Sequence, residues 1–463
     1  MSEFQFQPDF YNNKADISMS IVSDASQKLN LIQKISLAAV GVGLLLLLMA
    51  WAGAASGHSL LFLLSSTGLI AGGSLVFSYL QYKDRPEGIK NNGVMFGKMT
   101  ARGITAWIAA VTITAFYVAL YWWPQYLEGL IRMTDPLSQT LRGGAADQWF
   151  LYGFFYTLAV LLMGFKFILK YRHNRYQIIR TLSVMFFQLG FAFLIPAFML
   201  MMNQPEFYFT YFWPLDSYKL RPDWISGLVD KGGIGLVLIL ISVTMTFIAT
   251  PVLTYFFGKR WYCSWVCGCG GLAETAGDPY RHLSDKSLNA WKIERWMIHS
   301  VLVFVTLMTA VLWINSATQG SILGDFSYKF SKAYGFLIAS MFSGVVGVGF
   351  YPIMGSRVWC RFGCPQAAIL GIFQKFFSRF RITTNGGQCI SCGNCSTYCE
   401  MGIDVRAYAQ KGQNIVRASC VGCGVCAAVC PRGVLKLENG PTENRTQIHV
   451  RRDEVGFLDN SVF

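Results

Sequence analysis

The 463-residue sequence is short of charge: Asp, Glu, Lys and Arg make up 14% of it, with only 25 acidic residues against 39 basic. A soluble domain carries roughly 25% charged residues, so an ordinary water-soluble fold is excluded at the outset. Histidine is scarce too. Of the five, only His299 falls in a long apolar run; bis-histidine haem needs pairs facing each other across helices, so an intrinsic di-haem cytochrome b is not expected. No apolar run carries a central Asp or Glu, which argues against a self-contained proton pump. Basic surfaces interleaved with aromatics are missing, so nucleic acid is not expected as a partner. A secretory signal is not expected either: residues 1–32 are polar and mixed in charge, and Leu37–Gly53 is longer than a signal's apolar core. The first apolar segment is expected to stay as an anchor.

What the chain has is apolar length, with 53% hydrophobic residues and a mean hydropathy of +0.39. Eight windows reach the roughly 20 residues that a bilayer core requires. They lie near 35–56, 59–82, 104–123, 148–169, 181–202, 233–257, 296–315 and 333–353. Lys and Arg cluster after the second, fourth, sixth and eighth windows and thin out in the alternate loops. The positive-inside rule then puts both termini in the cytoplasm, for a multi-pass protein of the cell's inner membrane. The net charge of +14 follows from that topology. All 13 cysteines fall on the cytoplasmic, reducing side, where metal ligation is expected and disulfides are not.

After a basic, aromatic connector, the composition changes. "CISCGNCSTYCE" spaces Cys389, Cys392, Cys395 and Cys399 as C-x2-C-x2-C-x3-C, and "CVGCGVCAAVCP" repeats the spacing at Cys420, Cys423, Cys426 and Cys430. This is the two-cluster bacterial ferredoxin pattern, in which the fourth Cys of each run serves the other cluster. Two [4Fe–4S] clusters are expected, one on Cys389, Cys392, Cys395 and Cys430, the other on Cys420, Cys423, Cys426 and Cys399. The alternative is a pair of four-cysteine zinc sites, but zinc ribbons usually pair C-x2-C units across a longer gap. Glu400 stands where the second run has Pro431, a departure expected to cost little. The tail has no Gly-rich nucleotide fingerprint and no Cys-His pair, so no catalytic residue is assigned.

A second pattern is written twice at the membrane edge, as "GKRWYCSWVCGCGG" and "GSRVWCRFGCPQAA". Both follow windows of the same direction, and each is preceded by an outer Ser-Tyr-Lys element (Ser217–Lys219 and Ser327–Lys329). A parallel internal repeat would bring the two thiol pairs face to face. On a helix, residues four apart share a face, so Cys263 with Cys267, and Cys360 with Cys364, would each form a two-sulfur claw. Together they would hold a third iron–sulfur cluster, with zinc or Cu(I) left open and plain buried thiols as the bland alternative. Arg260 and Arg357 would offset the charge of an anionic cluster or anchor the membrane edge. Cys269 is left over, as a further ligand or a free thiol.

The paired C-x3-C motifs, the second followed by Pro365, together with the double ferredoxin run resemble the membrane polyferredoxin family over residues 205–440. Members include the membrane quinol-oxidising subunit of periplasmic nitrate reduction, the nitrous-oxide reduction regulator and the oxidase accessory protein with copper-reducing activity. The resemblance implies a membrane iron–sulfur protein moving single electrons between cytoplasmic clusters or the quinone pool and a membrane or periplasmic redox partner. A quinol dehydrogenase component, a copper reductase or an accessory factor for a respiratory metalloenzyme are the enzymatic versions. Gly268 departs from the family's usual Pro. The first four spans are additional to the nitrate-reduction subunit, and neither a flavin-binding nor an immunoglobulin-like domain is expected.

The expected fold is a polytopic all-α membrane domain (33–380) with a C-terminal α+β ferredoxin-like domain (383–440), flanked by tails 1–32 and 441–463. The aromatic segment Glu206–Trp224 is expected as an interfacial belt; its alternative is a wall of a quinone pocket, with Asp216 and Arg221 as polar contacts. Met199, Met201 and Met202 could bind Cu(I) or simply pack. His299 is expected in the core or at the interface.

Overall fold

The computed structural model describes residues 29–83 and 103–440. The tails expected at 1–32 and 441–463 lie wholly or almost wholly outside the described residues, as does most of the basic loop after the second window. Eight helices are long and apolar enough to cross a membrane: Leu31–Trp51, Ser59–Lys83, Ile104–Trp122, Gln148–Lys170, Arg175–Met201, Gly233–Phe257, Leu288–Ala317 and Asp325–Gly349. We call them spans one to eight. Their outward faces carry exposed Leu, Val and Phe, such as Leu45, Leu64, Leu240 and Phe247, which lipid can cover.

Several ends differ from the hydropathy windows for local reasons. Span one starts at Leu31 because Asn30 builds a capping box: its Oδ1 accepts from Gln33 N at 2.8 Å and Gln33 Oε1 accepts from Asn30 N at 3.0 Å. Span seven starts at Leu288 on the Ser287 hydroxyl, which accepts from Ala290 N at 3.2 Å. Span eight starts at Asp325 after Gly324, whose φ of +45° turns the chain inward. Ser327–Lys329 therefore lies inside a helix, whereas Ser217–Lys219 sits in a short 3-10 turn, Ser217–Leu220. The two Ser-Tyr-Lys elements are not equivalent outer loops, contrary to expectation.

Spans five, six and eight each contain a stretch of i→i+5 hydrogen bonding, at Phe187–Leu194, Met245–Ala249 and Gly335–Val346. Such widening is frequent near functional sites. The C-terminal domain is closed by two antiparallel strands, β1 (Phe380–Thr384) and β2 (Leu435–Asn439), with Ile382 opposite Leu437. Between them run the two cysteine loops, packed against one end of the helix bundle. Four main-chain carbonyls of the second loop accept from the membrane domain: Cys420 from Gln374 (2.7 Å), Val421 from Ser264 (2.9 Å), Gly422 from Tyr176 (2.9 Å) and Cys423 from Gln177 (2.8 Å). Each is a buried or partly buried acceptor that would be costly to leave unpaired. The two domains are thereby fixed to each other.

Candidate iron–sulfur sites

The two cysteine loops are built alike. In each, the residue before the second Cys is left-handed, Ser391 at φ +58° and Gly422 at φ +64°. Gly393 and Gly424 then turn the chain into one short helical turn apiece. This winding gathers three thiols locally and leaves room for one from the other run. Cys389, Cys392, Cys395 and Cys430 line one cavity, and Cys399, Cys420, Cys423 and Cys426 line another. Hydrogen bonds reach the sulfurs as well: Ile403 N donates to Cys399 Sγ at 3.4 Å, and Asn394 Nδ2 to Cys392 Sγ at 3.5 Å. Burial pushes the Cys395 and Cys423 thiols up to about 12 and Cys420 up to about 11. A coordinating metal reverses that order, because a ligating thiol is deprotonated outright. Four soft donors around one cavity, with N–H groups aimed at the sulfurs, fit a four-iron cluster.

The membrane-edge repeat survives in the backbone. Gly258 (φ +67°, ψ −175°) and Gly355 (φ +94°, ψ 169°) break the preceding helices in the same conformation, one that L side chains rarely adopt. Cys267 N donates to the Tyr262 carbonyl and Cys364 N to the Trp359 carbonyl, both at 2.9 Å. Cys267 and Cys364 are themselves extended (φ −66°, ψ 125° and φ −81°, ψ 112°) and open the helices Gly268–Thr275 and Pro365–Phe376. The expected claw on one helical face is therefore wrong in its geometry. In the first pair a helical turn ends at Cys263, in the second a wider turn, Trp359–Gly363, ends just before Cys364, and in both the second Cys begins a new helix. All four thiols are buried, and they lie close enough for each pair to feel the charge of the other. Ala367 N donates to Cys364 Sγ at 3.4 Å. Cys269 packs between the two pairs, and its thiol hydrogen bond holds Cys267 down at about 7.

Sequence reasoning missed a buried chain of ion pairs that ties these sites together. Arg357 donates to Cys360 Sγ at 3.6 Å and to the Cys263 carbonyl at 3.3 Å. The same guanidinium pairs with Glu274 at 2.6 Å and Glu400 at 2.9 Å. Glu274 also pairs with Arg180. Glu400 pairs with Arg281 (2.7 Å), which pairs with Asp278 (2.8 Å), which in turn holds Lys170 (2.7 Å). Although burial alone would raise both carboxyls, Arg281 and Arg357 hold Glu400, and Lys170 and Arg281 hold Asp278, below their ordinary ranges. Glu274 and Glu400 approach Cys423 Sγ within 4.8 Å, but their oxygens are already engaged by arginines, so this trio is read as part of the network. The departure at Glu400 is thus far from incidental. The only sequence signal was a lone carboxylate in a thiol run. Arg260, its counterpart in the first repeat, instead stacks on Phe380 at 4.7 Å.

The aromatic segment after span five is not a simple belt. Phe207, Thr210 and Phe212 are buried. The Thr210 carbonyl accepts from Tyr262 Oη at 2.7 Å, and Phe212 stacks on Trp261, so the segment plugs the first repeat. Asp216 caps the Ser217–Leu220 turn and Arg221 pairs with Asp223 at 2.9 Å; neither lines the cavity formed by this segment. Glu206, Tyr208 and Tyr211 do. They join Tyr152, Tyr156 and Gln188 around a cavity of about 410 Å³ between spans four and five, on the side of the bundle away from the ferredoxin domain. Gln188 donates to Thr157 Oγ1 at 3.1 Å while its carbonyl oxygen has no partner among the described residues. A Cβ on Gly268 would lie 2.6 Å from Tyr211 Oη and 2.7 Å from Gln188 Oε1. Any side chain at this position, proline included, would require Tyr211 or Gln188 to shift.

Met199 is buried against Phe207 and Leu228, whereas Met201 and Met202 are exposed, so the three thioethers do not converge. His299 is exposed and bonds the Arg295 carbonyl of its own helix.

Comparison with known proteins defines the class first. A 4Fe-4S binding domain matches twice, at residues 236–287 and 334–383, each match taking in one C-x3-C pair, and a 4Fe-4S dicluster domain matches residues 388–435. The chain thus carries 4Fe-4S ferredoxin-type domains beside eight membrane-length helices. Among particular proteins, it is 25% identical over 166 residues to one from Escherichia coli (strain K12) named "Putative electron transport protein YccM", covering 32% of this chain and 43% of that one. It is 23% identical over 172 residues to an uncharacterized protein of Methanocaldococcus jannaschii, covering 36% of this chain and 61% of the other. The matches span less than two thirds of either relative. No solved structure matches.

Proposed function

We propose that this chain is a membrane iron–sulfur protein of the polyferredoxin type that carries single electrons between clusters in its ferredoxin domain and the membrane. The observation that carries the reading is the crossing of the cysteine runs: each tail cavity is lined by three thiols of one run and the fourth of the other. Cys389, Cys392, Cys395 and Cys430 hold cluster one, and Cys420, Cys423, Cys426 and Cys399 hold cluster two. Cys263, Cys267, Cys360 and Cys364 hold a third centre, which the twice-matched 4Fe-4S binding domain favours as iron–sulfur. When bound, these groups supply one-electron redox chemistry. The protein's own residues bury the thiols, donate hydrogen bonds to them and set the surrounding charge.

In this reading residues 33–380 form the membrane domain and 383–440 the ferredoxin domain, with both termini in the cytoplasm of a cell whose inner membrane holds the protein. At the far end of the path, the cavity lined by Gln188 and Tyr211 suits a quinone head group. Its volume lies within the roughly 300–1,000 Å³ of small-molecule sites. Gln188 Oε1 offers an acceptor for a quinol hydroxyl, burial keeps the Tyr211 phenol protonated as a donor, and the cavity floor touches Gly268, next to Cys267. A copper-reducing role gains nothing from the scattered methionines.

Serine substitution tests the crossing. Cys430→Ser should alter the electron paramagnetic resonance signal of the cluster built on Cys389, Cys392 and Cys395, and Cys399→Ser that of the cluster built on Cys420, Cys423 and Cys426. If each change disturbs only its own run, the two-cluster fold is wrong.

A further inference from the structure

The two cysteine loops are twins in backbone but opposites in exposure. Ile390 and Val421 occupy the same place, directly after the first Cys of each run. Val421 is 1% exposed and its carbonyl is bonded to Ser264, whereas Ile390 is 57% exposed. The difference follows from packing: the second loop faces the helix bundle, so its carbonyls are claimed by Gln374, Ser264, Tyr176 and Gln177. The first run touches the bundle only at its end, where Ser284 Oγ donates to the Glu400 carbonyl at 2.7 Å; its tip, Cys389–Gly393, faces away, and no side chain of the membrane domain is bonded to that tip among the described residues. Its left-handed tip is held from within the ferredoxin domain, where Gln410 donates to Ser391 Oγ at 2.8 Å.

Charge distinguishes this window further. Arg406 and Arg432 line the cavity of the first thiol set together with Pro431. Neither guanidinium has an ion pair or side-chain hydrogen bond among the described residues. Lys411 and Lys436 are exposed on the same domain. Its carboxylates give little to oppose them: Glu400 is buried in ion pairs, and Asp404 accepts from Ser396 Oγ at 2.7 Å. Asp404 keeps its charge and is half-buried, as is Glu438 on β2, so two carboxylates stand against Arg406, Lys411, Arg417, Arg432 and Lys436. An exposed apolar residue flanked by unpaired cations, over the less covered of two thiol cavities, is a docking face with a sign.

We propose that the Ile390–Arg406–Arg432 window is the port at which cluster one exchanges an electron with an acidic, soluble one-electron carrier protein. The inference rests on the cluster reading above and adds the partner's chemistry and landing site. One electron passes between carrier and cluster one, the one oxidised as the other is reduced, with no bond broken and no proton moved. Cluster two, sealed against the bundle, then serves as the inner relay. Carboxylates on the carrier meet the two arginines, and an apolar patch around its cofactor covers Ile390. Such charge pairing acts mainly on association rate and is weakened by salt.

The test uses the full chain in nanodiscs of zwitterionic lipid, with two acidic probes of different fold, a plant-type [2Fe–2S] ferredoxin and a flavodoxin. Saturable binding by at least one, lost progressively from low to high salt, is expected. Arg406→Glu with Arg432→Glu should raise its Kd at least about tenfold, and Ile390→Ser should weaken it with little change in salt dependence. Lys34→Glu with Lys292→Glu, the same charge change placed on the helix bundle, should leave it within about twofold. Iron content and cluster spectra are measured on every sample. Absent clusters in the wild type defeat the functional reading, whereas intact clusters without binding by either probe defeat the port. Equal weakening by both charge reversals also overturns it, since binding would then follow net charge alone. Removal of residues 441–463 should leave probe affinity unchanged; a tenfold gain would make that tail the occupant and overturn the proposal. Nanodiscs with phosphatidylglycerol should still bind the probe. If they block it and the arginine reversals relieve the block, the window is a lipid contact.

Discussion

Replacing Glu400 by Gln tests whether the ion-pair chain holds the ferredoxin domain on the membrane domain. Glu400 is fully buried and shared by Arg281 and Arg357 at 2.7 and 2.9 Å. The wider cluster sets Lys170, Arg180, Arg281 and Arg357 against Glu274, Asp278 and Glu400. Gln keeps the shape and removes the charge, leaving four cations to two carboxylates. Removing one partner of a buried pair costs ~3–5 kcal/mol, because the other charge stays buried. Arg281 keeps Asp278 and Arg357 keeps Glu274, so the lower end of that range is expected here. At 1.4 kcal/mol per factor of ten, ~3 kcal/mol corresponds to roughly a hundredfold faster hydrogen exchange at amides that open with the interface. Those amides lie in residues 420–424 and 260–264, and exchange is followed by mass spectrometry on the intact protein. Arg132→Ala is the control: its pair with Glu128 is exposed on both sides, and such pairs are worth ~0–1 kcal/mol. Exchange within threefold of wild type in Glu400→Gln would refute the idea that these charges weld the domains.

Three further outcomes follow from the same geometry. Cys263→Ala and Cys360→Ala should each abolish the same spectroscopic centre while both tail clusters remain; unchanged metal content in both variants would mean that no shared site exists. Gly268→Val should close the cavity onto Tyr211 and Gln188, and so should weaken binding of a water-soluble quinol analogue about tenfold or more, since affinity there depends on a preformed pocket; binding as in the wild type would remove that cavity from the pathway. An impermeant thiol reagent applied to intact cells should label none of the cysteines, and labelling of Cys389 from outside would reverse the orientation.

Much of this architecture was legible because the relevant signals are local. A cluster loop needs thiols three apart and a tight turn, and both are written within twelve residues. Spans are legible for the same reason, since a bilayer asks only for apolar length. What was hidden is relational. Glu400 reads as a neutral departure from Pro431 until Arg281 and Arg357 arrive from sequence segments far away. Gly268 reads as a lapse from Pro until Tyr211 and Gln188 are seen against it. The C-x3-C spacing allowed a helical face, but Gly258 and Gly355 stop the preceding helices and the second Cys of each pair is extended, so the thiols converge by a turn. The likeness of the two Ser-Tyr-Lys elements was a short match without structural equivalence. Nor does spacing tell which ferredoxin loop faces the bundle; only packing separates Ile390 from Val421.

The central claim is that the chain carries iron–sulfur clusters that pass single electrons. Its most direct test is a potentiometric titration of the full-length protein purified without added metal, followed by electron paramagnetic resonance, with iron and acid-labile sulfide measured on the same sample. The account predicts equal iron and sulfide in amounts matching three four-iron centres per chain, and one-electron signals from all of them. Zinc in place of iron, or iron without sulfide, would contradict it.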